Sequence, residues 1–326
     1  MQTVAILGAR GRLGRVVARA FLAQGWRVIA VTRDGTKPPG LGGAQSRTAD
    51  AMDRQALIDA CAGADVIFNG LNPLYTRWKQ ECLIQAGNVI AAASASGSLH
   101  LFAGNVYNYG PVIPHLVDET TPMAGGTVKG DIRNAMEQHF QDAAAGWRGK
   151  GVKTIILRAG DFYGGDGTGS WFDQAIAAKA GKGVFTWPGG TGQAAMQRDH
   201  AWAYLPDLAR AFVALAGKGS DESGFKTYTF AGHTLSGAAM KAHMENALGR
   251  RLRPVGIPWW LIRAGGLVAP MWRELAEISY LWFRPHRLSG VRLEAAIGPL
   301  VQTAPDRAVA EALADLGHLD QGRAAA

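Results

Sequence analysis

The chain has 326 residues, of which 48% are hydrophobic and 18% are charged, so it is long enough to bury one large core or two modest ones. Its formal net charge is +8, with 34 lysine and arginine residues against 26 aspartate and glutamate residues. The basic residues are scattered and do not form a stripe interleaved with aromatic side chains. This composition argues against a disordered chain and against a nucleic-acid-binding protein.

The cysteines and the N-terminal sequence indicate in which cellular compartment the protein is expected. Cys61 and Cys82 are the two cysteines, and they form neither a disulfide framework nor a metal-ligand spacing. The first apolar run begins at Thr3, which leaves no room for a signal peptide before it. The apolar stretch 256–272 is interrupted by Arg263 and by prolines, so it is not expected to span a bilayer. We therefore expect a cytoplasmic protein that binds no membrane.

Short β-branched runs alternate with segments of helical period through the first half of the chain. In chain order we predict strand 3–7, helix 12–24, strand 27–31, helix 53–61, strand 65–69, helix 77–96, strand 99–103, helix 127–146 and strand 152–157. Continuous apolar strands between helices are typical of a parallel sheet covered on both faces. The sequence thus predicts an α/β fold with a doubly wound parallel sheet of six or seven strands in the order 3-2-1-4-5-6.

The second half of the chain has a different pattern, with glycine-rich loops at 159–170 and 188–192 and then short strands and helices. We expect residues 1–160 to form the sheet domain, which parts of 205–232 complete. The rest of 161–326 should form a smaller C-terminal lobe over the carboxyl ends of the strands, where doubly wound sheets bind ligands.

Three glycines follow the first predicted strand with the spacing G-x-x-G-x-x-G, at Gly8, Gly11 and Gly14. In a strand-turn-helix unit such glycines allow a tight turn, the approach of a pyrophosphate to the backbone, and close packing of helix and strand. The helix N-terminus then offers free N–H groups to the phosphates. The sequence predicts a dinucleotide site formed by Gly8, Arg10, Gly11, Arg12, Leu13 and Gly14.

The end of the second strand distinguishes the two nicotinamide dinucleotides, because an acidic residue there would bind the 2′-hydroxyl of NAD. This chain has Thr32 and Arg33 at that point, and Arg10 and Arg12 stand inside the glycine turn. Guanidinium groups suit a 2′-phosphate by charge and by geometry. We therefore expect NADP(H) to be favoured over NAD(H), with a solvated side chain as the alternative interpretation for Arg12.

Later stretches of the chain resemble, in consistent order, the signatures of the NAD-dependent epimerase/dehydratase family, which comprises extended short-chain dehydrogenase/reductases. These stretches are 49–70, 103–110, 157–167, 198–215 and 234–250. The resemblance implies a Rossmann-type domain and a smaller substrate domain for a small-molecule substrate.

Residues of this chain that match the family's binding motifs are expected to have the same binding roles. The resemblance implies that Asp50 and Ala51 lie beside the adenine and that Arg198 meets an anionic part of the substrate, commonly a sugar-nucleotide phosphate. It also implies contacts of the adenosine ribose and phosphates with Asn69, Gly70 and Leu71, and of the nicotinamide with the segment 157–161, which includes Ala159 and Gly160.

The family's catalytic residues are replaced in this chain. The family uses a Tyr-x-x-x-Lys pair and a Ser or Thr for proton transfer and orientation. The matching positions hold Lys129, Arg133 and Asn105. Lys129 and Arg133 share one helical face, where repulsion between two cations would favour a neutral, proton-transferring amine at Lys129. Solvated side chains are the alternative, and Tyr107 is the next catalytic candidate.

Other residues complete the expected site. Tyr75 and Tyr163 are candidates for contact with the substrate. The eight histidines show no paired metal spacing, and His100 and His200 are expected to be surface residues or to have satisfied hydrogen bonds.

The glycine turn, the family resemblance and the replaced catalytic residues together predict an atypical NADP-dependent reductase or epimerase of a small carbonyl or hydroxyl compound. An inactive NADP-binding sensor or scaffold is the alternative, and a homodimer is left open.

Overall fold

A computed structural model describes residues 1–146, 151–218 and 224–319. The strands are β1 (Thr3–Leu7), β2 (Arg27–Thr32), β3 (Gln45–Thr48), β4 (Val66–Asn69), β5 (Leu99–Gly104), β6 (Leu116–Val117), β7 (Thr154–Arg158), β8 (Asp161–Tyr163), β9 (Val184–Trp187), β10 (Ala201–Tyr204), β11 (Phe225–Thr229), β12 (His233–Thr234), β13 (Arg253–Gly256) and β14 (Arg287–Leu288).

Eleven α-helices accompany these strands within the described ranges. They are α1 (Arg12–Ala23), α2 (Arg54–Cys61), α3 (Trp78–Ser96), α4 (Val128–Ala145), α5 (Gln193–Met196), α6 (Leu205–Lys218), α7 (Gly237–Leu248), α8 (Trp259–Gly265), α9 (Pro270–Glu277), α10 (Val291–Ile297) and α11 (Pro305–Asp315). Among these helices, none has the combined length and apolar character that crossing a membrane requires.

The main sheet has seven parallel strands in the order β3-β2-β1-β4-β5-β7-β11. The predicted α/β fold and doubly wound order are confirmed. The sequence analysis missed β3, because its four residues, Gln45–Thr48, lie at the sheet edge and none of them is buried. An apolar run, which is the signal of a buried parallel strand, is therefore absent there.

Helices cover both faces of this sheet, and each face has its own apolar core. The helices α2, α3 and α4 pack on one face, and α1 and α6 pack on the other. The strand β11 follows α6 and pairs with β7, so part of the second half of the chain completes the sheet.

The strands β8, β9, β10, β12 and β13 belong to smaller sheets around a third core, which is rich in aromatic rings. Here β8 pairs in parallel with β10, and Asp161 stands opposite Trp202. The helices α7 and α11 contribute to this core. The strand β8 begins three residues after β7, so this core adjoins the carboxyl edge of the main sheet. The short strands β6 and β14 pair with each other, and their residues Val117 and Leu288 belong to the core under α2, α3 and α4.

The carboxyl edge of the main sheet is the crevice in which doubly wound folds bind ligands. Four central strands end there and are followed by Gly8, Gly70, Asn105 and Ala159. The helix α9 returns to this edge and packs against a short 3-10 helix, Tyr75–Arg77. The candidate site is therefore walled by the sheet edge below and by α9 above.

Candidate functional site

The glycine turn between β1 and α1 has no room for side chains. Gly8 has a φ of +79°, and a Cβ atom on it would lie 2.8 Å from the carbonyl oxygen of Gly70. A Cβ atom on Gly14 would lie 2.3 Å from the carbonyl oxygen of Gly8. Gly11 caps α1 without a side-chain hydrogen bond, and the first turn has no acidic residue. The N–H groups of this helix end are therefore suited to an anion.

Three arginines of α1, namely Arg12, Arg15 and Arg19, donate hydrogen bonds to the segment 164–173, which follows β8. The Nη1 atom of Arg12 donates to Oδ1 of Asp173 at 2.8 Å, and the Arg12 side chain is buried. Arg15 donates to the carbonyl oxygen of Asp166 at 2.6 Å. The structure thus differs from the expectation that Arg12 contacts the nucleotide, because a buried carboxylate already pairs with its guanidinium group.

At the end of β2 the two remaining candidate cations differ in their partners. Arg10 forms an exposed ion pair with Asp34. Hydrogen bonds from Thr36, with a smaller contribution from Arg10, lower the pKa of Asp34 to about 2. Arg33 is exposed and has no ion-pair partner in the described part of the chain. Arg33 is therefore the cation most available to a 2′-phosphate.

The residues expected beside the adenine lie just after β3. Asp50 is exposed, and its Oδ1 accepts a hydrogen bond from the backbone N–H of Met52 at 2.9 Å. Ala51 is buried, and its carbonyl oxygen accepts from Nδ2 of Asn88. The neighbouring β1–α1 turn places Leu13 half-buried against the core.

Asn69, at the end of β4, is held by a histidine that the sequence analysis did not assign to the site. Burial lowers the pKa of His100 to about 3, so its ring is neutral. The hydroxyl of Thr154 donates to a backbone carbonyl, and its oxygen is then free to accept from Nδ1–H of His100. The Nε2 atom of His100 therefore accepts from Asn69, whose Oδ1 accepts from the backbone N–H of Leu71.

Two tyrosines meet at the centre of the cleft. The hydroxyl groups of Tyr75 and Tyr107 lie 2.7 Å apart, and Oδ1 of Asn105 accepts from the backbone N–H of Tyr107. Burial, with a contribution from the negative charge of Asp161, raises the pKa of Tyr75 to about 12 and the pKa of Tyr107 further above its usual value. Both phenols are therefore protonated near neutral pH.

Arg133 lies beside this pair as a buried cation that has no carboxylate partner among the residues the structure describes. Its guanidinium carbon lies 4.7 Å from the ring centre of Trp78 and 5.2 Å from that of Phe102. A single long hydrogen bond, 3.5 Å, joins Nη2 to Asn72, and Nε and Nη1 have no partner in the described residues. Burial lowers the pKa of Arg133. These unpaired N–H groups are available to a hydrogen-bond acceptor from outside the chain.

Lys129 is not arranged as the sequence analysis expected. Its side chain is fully buried, and its Nζ donates to Glu274 at 2.5 Å and to Glu277 at 2.7 Å. Both glutamates belong to α9. Both carboxylates engage the Lys129 amine, so it is not the free proton-transferring group that the sequence led us to expect. These contacts make Lys129 an anchor for α9.

Asp161 and His200 form a second polar pair at the cleft. Oδ2 of Asp161 lies 2.7 Å from Nε2 of His200, and the side chains are 18% and 3% exposed, respectively. The indole of Trp282 stacks on the imidazole with ring centres 4.2 Å apart. No sequence pattern indicates this pair, because the pairing of β8 with β10 brings together residues that lie 39 positions apart.

The two other substrate candidates lie in the smaller lobe. Tyr163 is 0% exposed in the third core, and its hydroxyl is bonded to His233, so the structure corrects its expected contact with substrate. Arg198 is half-buried and donates to the carbonyl oxygen of Gly189 at 3.3 Å.

The two residues expected beside the nicotinamide directly follow β7. Ala159 is buried, and Gly160 packs closely against Ala201, so the end of β7 lies against β10.

Comparisons with known proteins agree with this geometry. A sequence model of the NAD dependent epimerase/dehydratase family matches residues 4–229. A 2-alkyl-3-oxoalkanoate reductase of Stenotrophomonas maltophilia is 30% identical over 127 residues, which is 37% of each chain. The match therefore spans little more than a third of that relative.

Solved structures extend the similarity over nearly the whole chain. A UDP-glucose 4-epimerase from Bifidobacterium longum, in complex with NAD+ and UDP, has a TM-score of 0.72, 16% identity and 97% coverage of both chains. A nucleoside-diphosphate-sugar epimerase from Pseudomonas aeruginosa has a TM-score of 0.72 and 18% identity, with 98% of this chain and 99% of that one covered. At these identities the likeness concerns the fold.

Proposed function

Because the chain belongs to the NAD-dependent epimerase/dehydratase family, we propose that it is a cytoplasmic NADP-dependent oxidoreductase acting on a small carbonyl or hydroxyl compound. The observation that carries the proposal is the cleft itself. One end of the cleft is a glycine turn without room for a Cβ atom, and the other end has a buried arginine with unpaired donors.

The residues present fit a nicotinamide dinucleotide. Gly8, Gly11 and Gly14 leave the helix end open to the two phosphates. Arg33 would bind the 2′-phosphate of NADP, which is why we expect NADP(H) to bind better than NAD(H). The free Nε and Nη1 of Arg133 would donate to the nicotinamide ribose, and Asn69 would contact the adenosine half. When bound, such a nucleotide supplies or accepts a hydride.

For the substrate we propose an oxo compound of modest size, reduced at its carbonyl group or epimerised through a transient ketone. The named reductase relative favours a 3-oxo acid. The structural neighbours with UDP favour a nucleotide sugar, for which Arg198 is the candidate phosphate contact. The phenols of Tyr75 and Tyr107 offer hydroxyl donors to the substrate oxygen from an otherwise aromatic wall.

A second candidate is a protein that binds NADP without turnover. The observation in its favour is Lys129, which occupies the position of the family's catalytic tyrosine and is committed to two ion pairs. Such a protein would sense the nucleotide through α9, since that helix is joined to the cleft by these ion pairs.

The experiment measures nucleotide affinity first and turnover second. We expect NADPH to bind more tightly than NADH in fluorescence titrations, and Arg133→Met to weaken both about tenfold or more, with Arg133→Lys retaining part of the affinity. NADPH consumption is then followed with 2-alkyl-3-oxo acids and with UDP-glucose. Absence of NADPH binding would overturn the proposal, whereas binding without turnover on either class would favour the sensor.

A further inference from the structure

We propose that Asp161 is the group that exchanges a proton with the substrate and that His200 positions its carboxylate. This inference rests on the proposed oxidoreductase function. It assigns a role that the replacement of the family's tyrosine and lysine leaves open.

The position of Asp161 in the fold supports this role. A dinucleotide in a doubly wound sheet crosses the point where the strand order reverses, which here lies between β1 and β4. Its adenosine half then lies over β2, and its nicotinamide half lies on the side of β5 and β7. Asp161 stands three residues after the end of β7, on that second side. Its charge contributes to the raised pKa of Tyr75 and of Tyr107, so its carboxylate lies near these two phenols.

The geometry of the pair is that of an oriented carboxylate. His200 binds one oxygen, Oδ2, and the other oxygen, Oδ1, accepts no hydrogen bond from the described residues. His200 is buried and clamped between the stacked ring of Trp282 and the ring of His286, whose centre is 4.7 Å away. A rigid imidazole thus holds one edge of the carboxylate and leaves the other edge to a ligand.

The other polar groups of the cleft cannot accept a proton near neutral pH. Tyr75 and Tyr107 are protonated phenols, because burial raises the pKa of each. Arg133 carries a guanidinium, which has no acceptor site, and Lys129 already donates to two carboxylates. Glu274 and Glu277 accept hydrogen bonds at both of their oxygens, whereas Asp161 keeps Oδ1 free of the described residues. Asp161 is therefore the carboxylate of this cluster with an oxygen available to a substrate proton, and the phenols can serve only as hydrogen-bond donors.

In the direction of oxidation, Asp161 would take the proton of the substrate hydroxyl. A bound nucleotide would accept the hydride of the carbinol carbon while the substrate O–H bond breaks and its proton passes to Oδ1 of Asp161. The O–H electron pair becomes the second bond of the new carbonyl, and the carboxylate becomes a carboxylic acid. His200 keeps its hydrogen bond to Oδ2 and limits the cost of the charge change. In reduction the same acid returns its proton to the carbonyl oxygen.

Several groups besides Asp161 lie around His200. His286 faces the His200 ring directly, and burial lowers the pKa of His286 to about 3, so that it adds no charge near neutral pH. The remaining ring neighbours of His200 are the indoles of Trp187, Trp202 and Trp282. Across the cleft, the charged group that acts on the same tyrosine pair is Arg133.

The first test does not depend on a substrate. Nitrogen-15 NMR of the histidine rings, with His200 assigned through His200→Gln, is compared between the NADP⁺ and NADPH complexes. The oxidised ring is positively charged and the reduced ring is neutral, so we expect the His200 signals to differ between the complexes and the difference to shrink in Asp161→Asn. The exposed pair of Asp199 and His115 supplies the matched control, Asp199→Asn. Identical His200 signals in the two complexes would overturn the proposal.

The second test uses whichever oxo compound the wild-type protein reduces. Asp161→Asn should lower kcat by about 100-fold with NADPH affinity unchanged, and Asp199→Asn should have no effect. His200→Gln, whose amide can still donate, should keep KM, lose less activity than His200→Leu, and shift the pH profile of kcat. Wild-type kcat in Asp161→Asn would refute the role of Asp161. If the wild type reduces no probe, the proposed function fails, and the NMR comparison alone decides whether the pair faces the nicotinamide.

Discussion

The Nζ atom of Lys129 lies 2.7 Å from Oε2 of Glu277, a residue 148 positions later in the chain. The same glutamate accepts the backbone N–H of Lys129 at 2.9 Å through its other oxygen. This double attachment joins the first turn of α4 to the last turn of α9. A residue that occupies a catalytic position in the family is here part of the connection between α4 and α9.

Replacement of Lys129 by methionine should therefore cost stability. Removal of one partner of a buried ion pair leaves the other charge uncompensated, and we expect a loss of about 3 kcal/mol in the free energy of unfolding, measured by urea denaturation. Combining Lys129→Met with Glu274→Gln and Glu277→Gln should recover part of that loss. A variant with unchanged stability and a kcat reduced by about 100-fold would instead return Lys129 to the role of proton donor.

Replacement of Arg33 by alanine should reduce the affinity for NADPH about tenfold and leave the affinity for NADH nearly unchanged, because only NADP carries the 2′-phosphate. The salt dependence of NADPH binding should decrease as well. Arg27→Ala is the matched control, since Arg27 is exposed at the opposite end of the same strand. An equal effect on both nucleotides would contradict the assignment of Arg33.

Replacement of Gly14 by alanine should disturb the turn that receives the phosphates. The added Cβ would lie 2.3 Å from a backbone oxygen, which no side-chain movement can relieve. We expect a stability loss of about 2 kcal/mol and weakened binding of both nucleotides, seen by thermal denaturation and by fluorescence titration. Gly42→Ala, at a glycine with open space around it, should change neither quantity.

The neutral ring of His100 should make stability depend on pH. The unfolded chain protonates this histidine near its ordinary pKa of about 6.5, whereas burial lowers the pKa of His100 to about 3 in the folded chain. The stability that the neutral ring contributes is thus fully present above about pH 6.5 and is lost as the pH falls towards about 3. From about pH 7.5 to about pH 5 the loss is about 2 kcal/mol.

The variant His100→Gln tests this assignment. Its stability should fall less than that of the wild type over the same pH interval, in denaturation curves recorded at both ends. His115→Gln, at an exposed histidine, should follow the wild-type dependence. Equal pH dependence in His100→Gln and wild type would show that His100 is not the source.

The sheet could be predicted from the sequence because each central strand is a continuous apolar run. The glycine turn could be predicted from the spacing of its glycines, because only glycine fits at those positions. The pair of Asp161 and His200 could not be predicted, since its geometry depends on the parallel pairing of two short strands. Arg12 was misjudged for a related reason. Its partner, Asp173, lies in a single π-helical turn, Phe172–Ile176, whose place is set by tertiary packing and leaves no periodic pattern in the sequence.

The ion pair of Arg12 with Asp173 has a consequence for the order in which the protein matures. It joins residues 161 positions apart, one at the start of the first helix and one beyond the middle of the chain. Contacts of such long sequence separation form late in folding, because the intervening chain must first be ordered. During synthesis the glycine turn emerges early, yet the loop that flanks it arrives only after half of the protein has been made. Acquisition of the nucleotide should therefore follow synthesis of at least the first half of the chain.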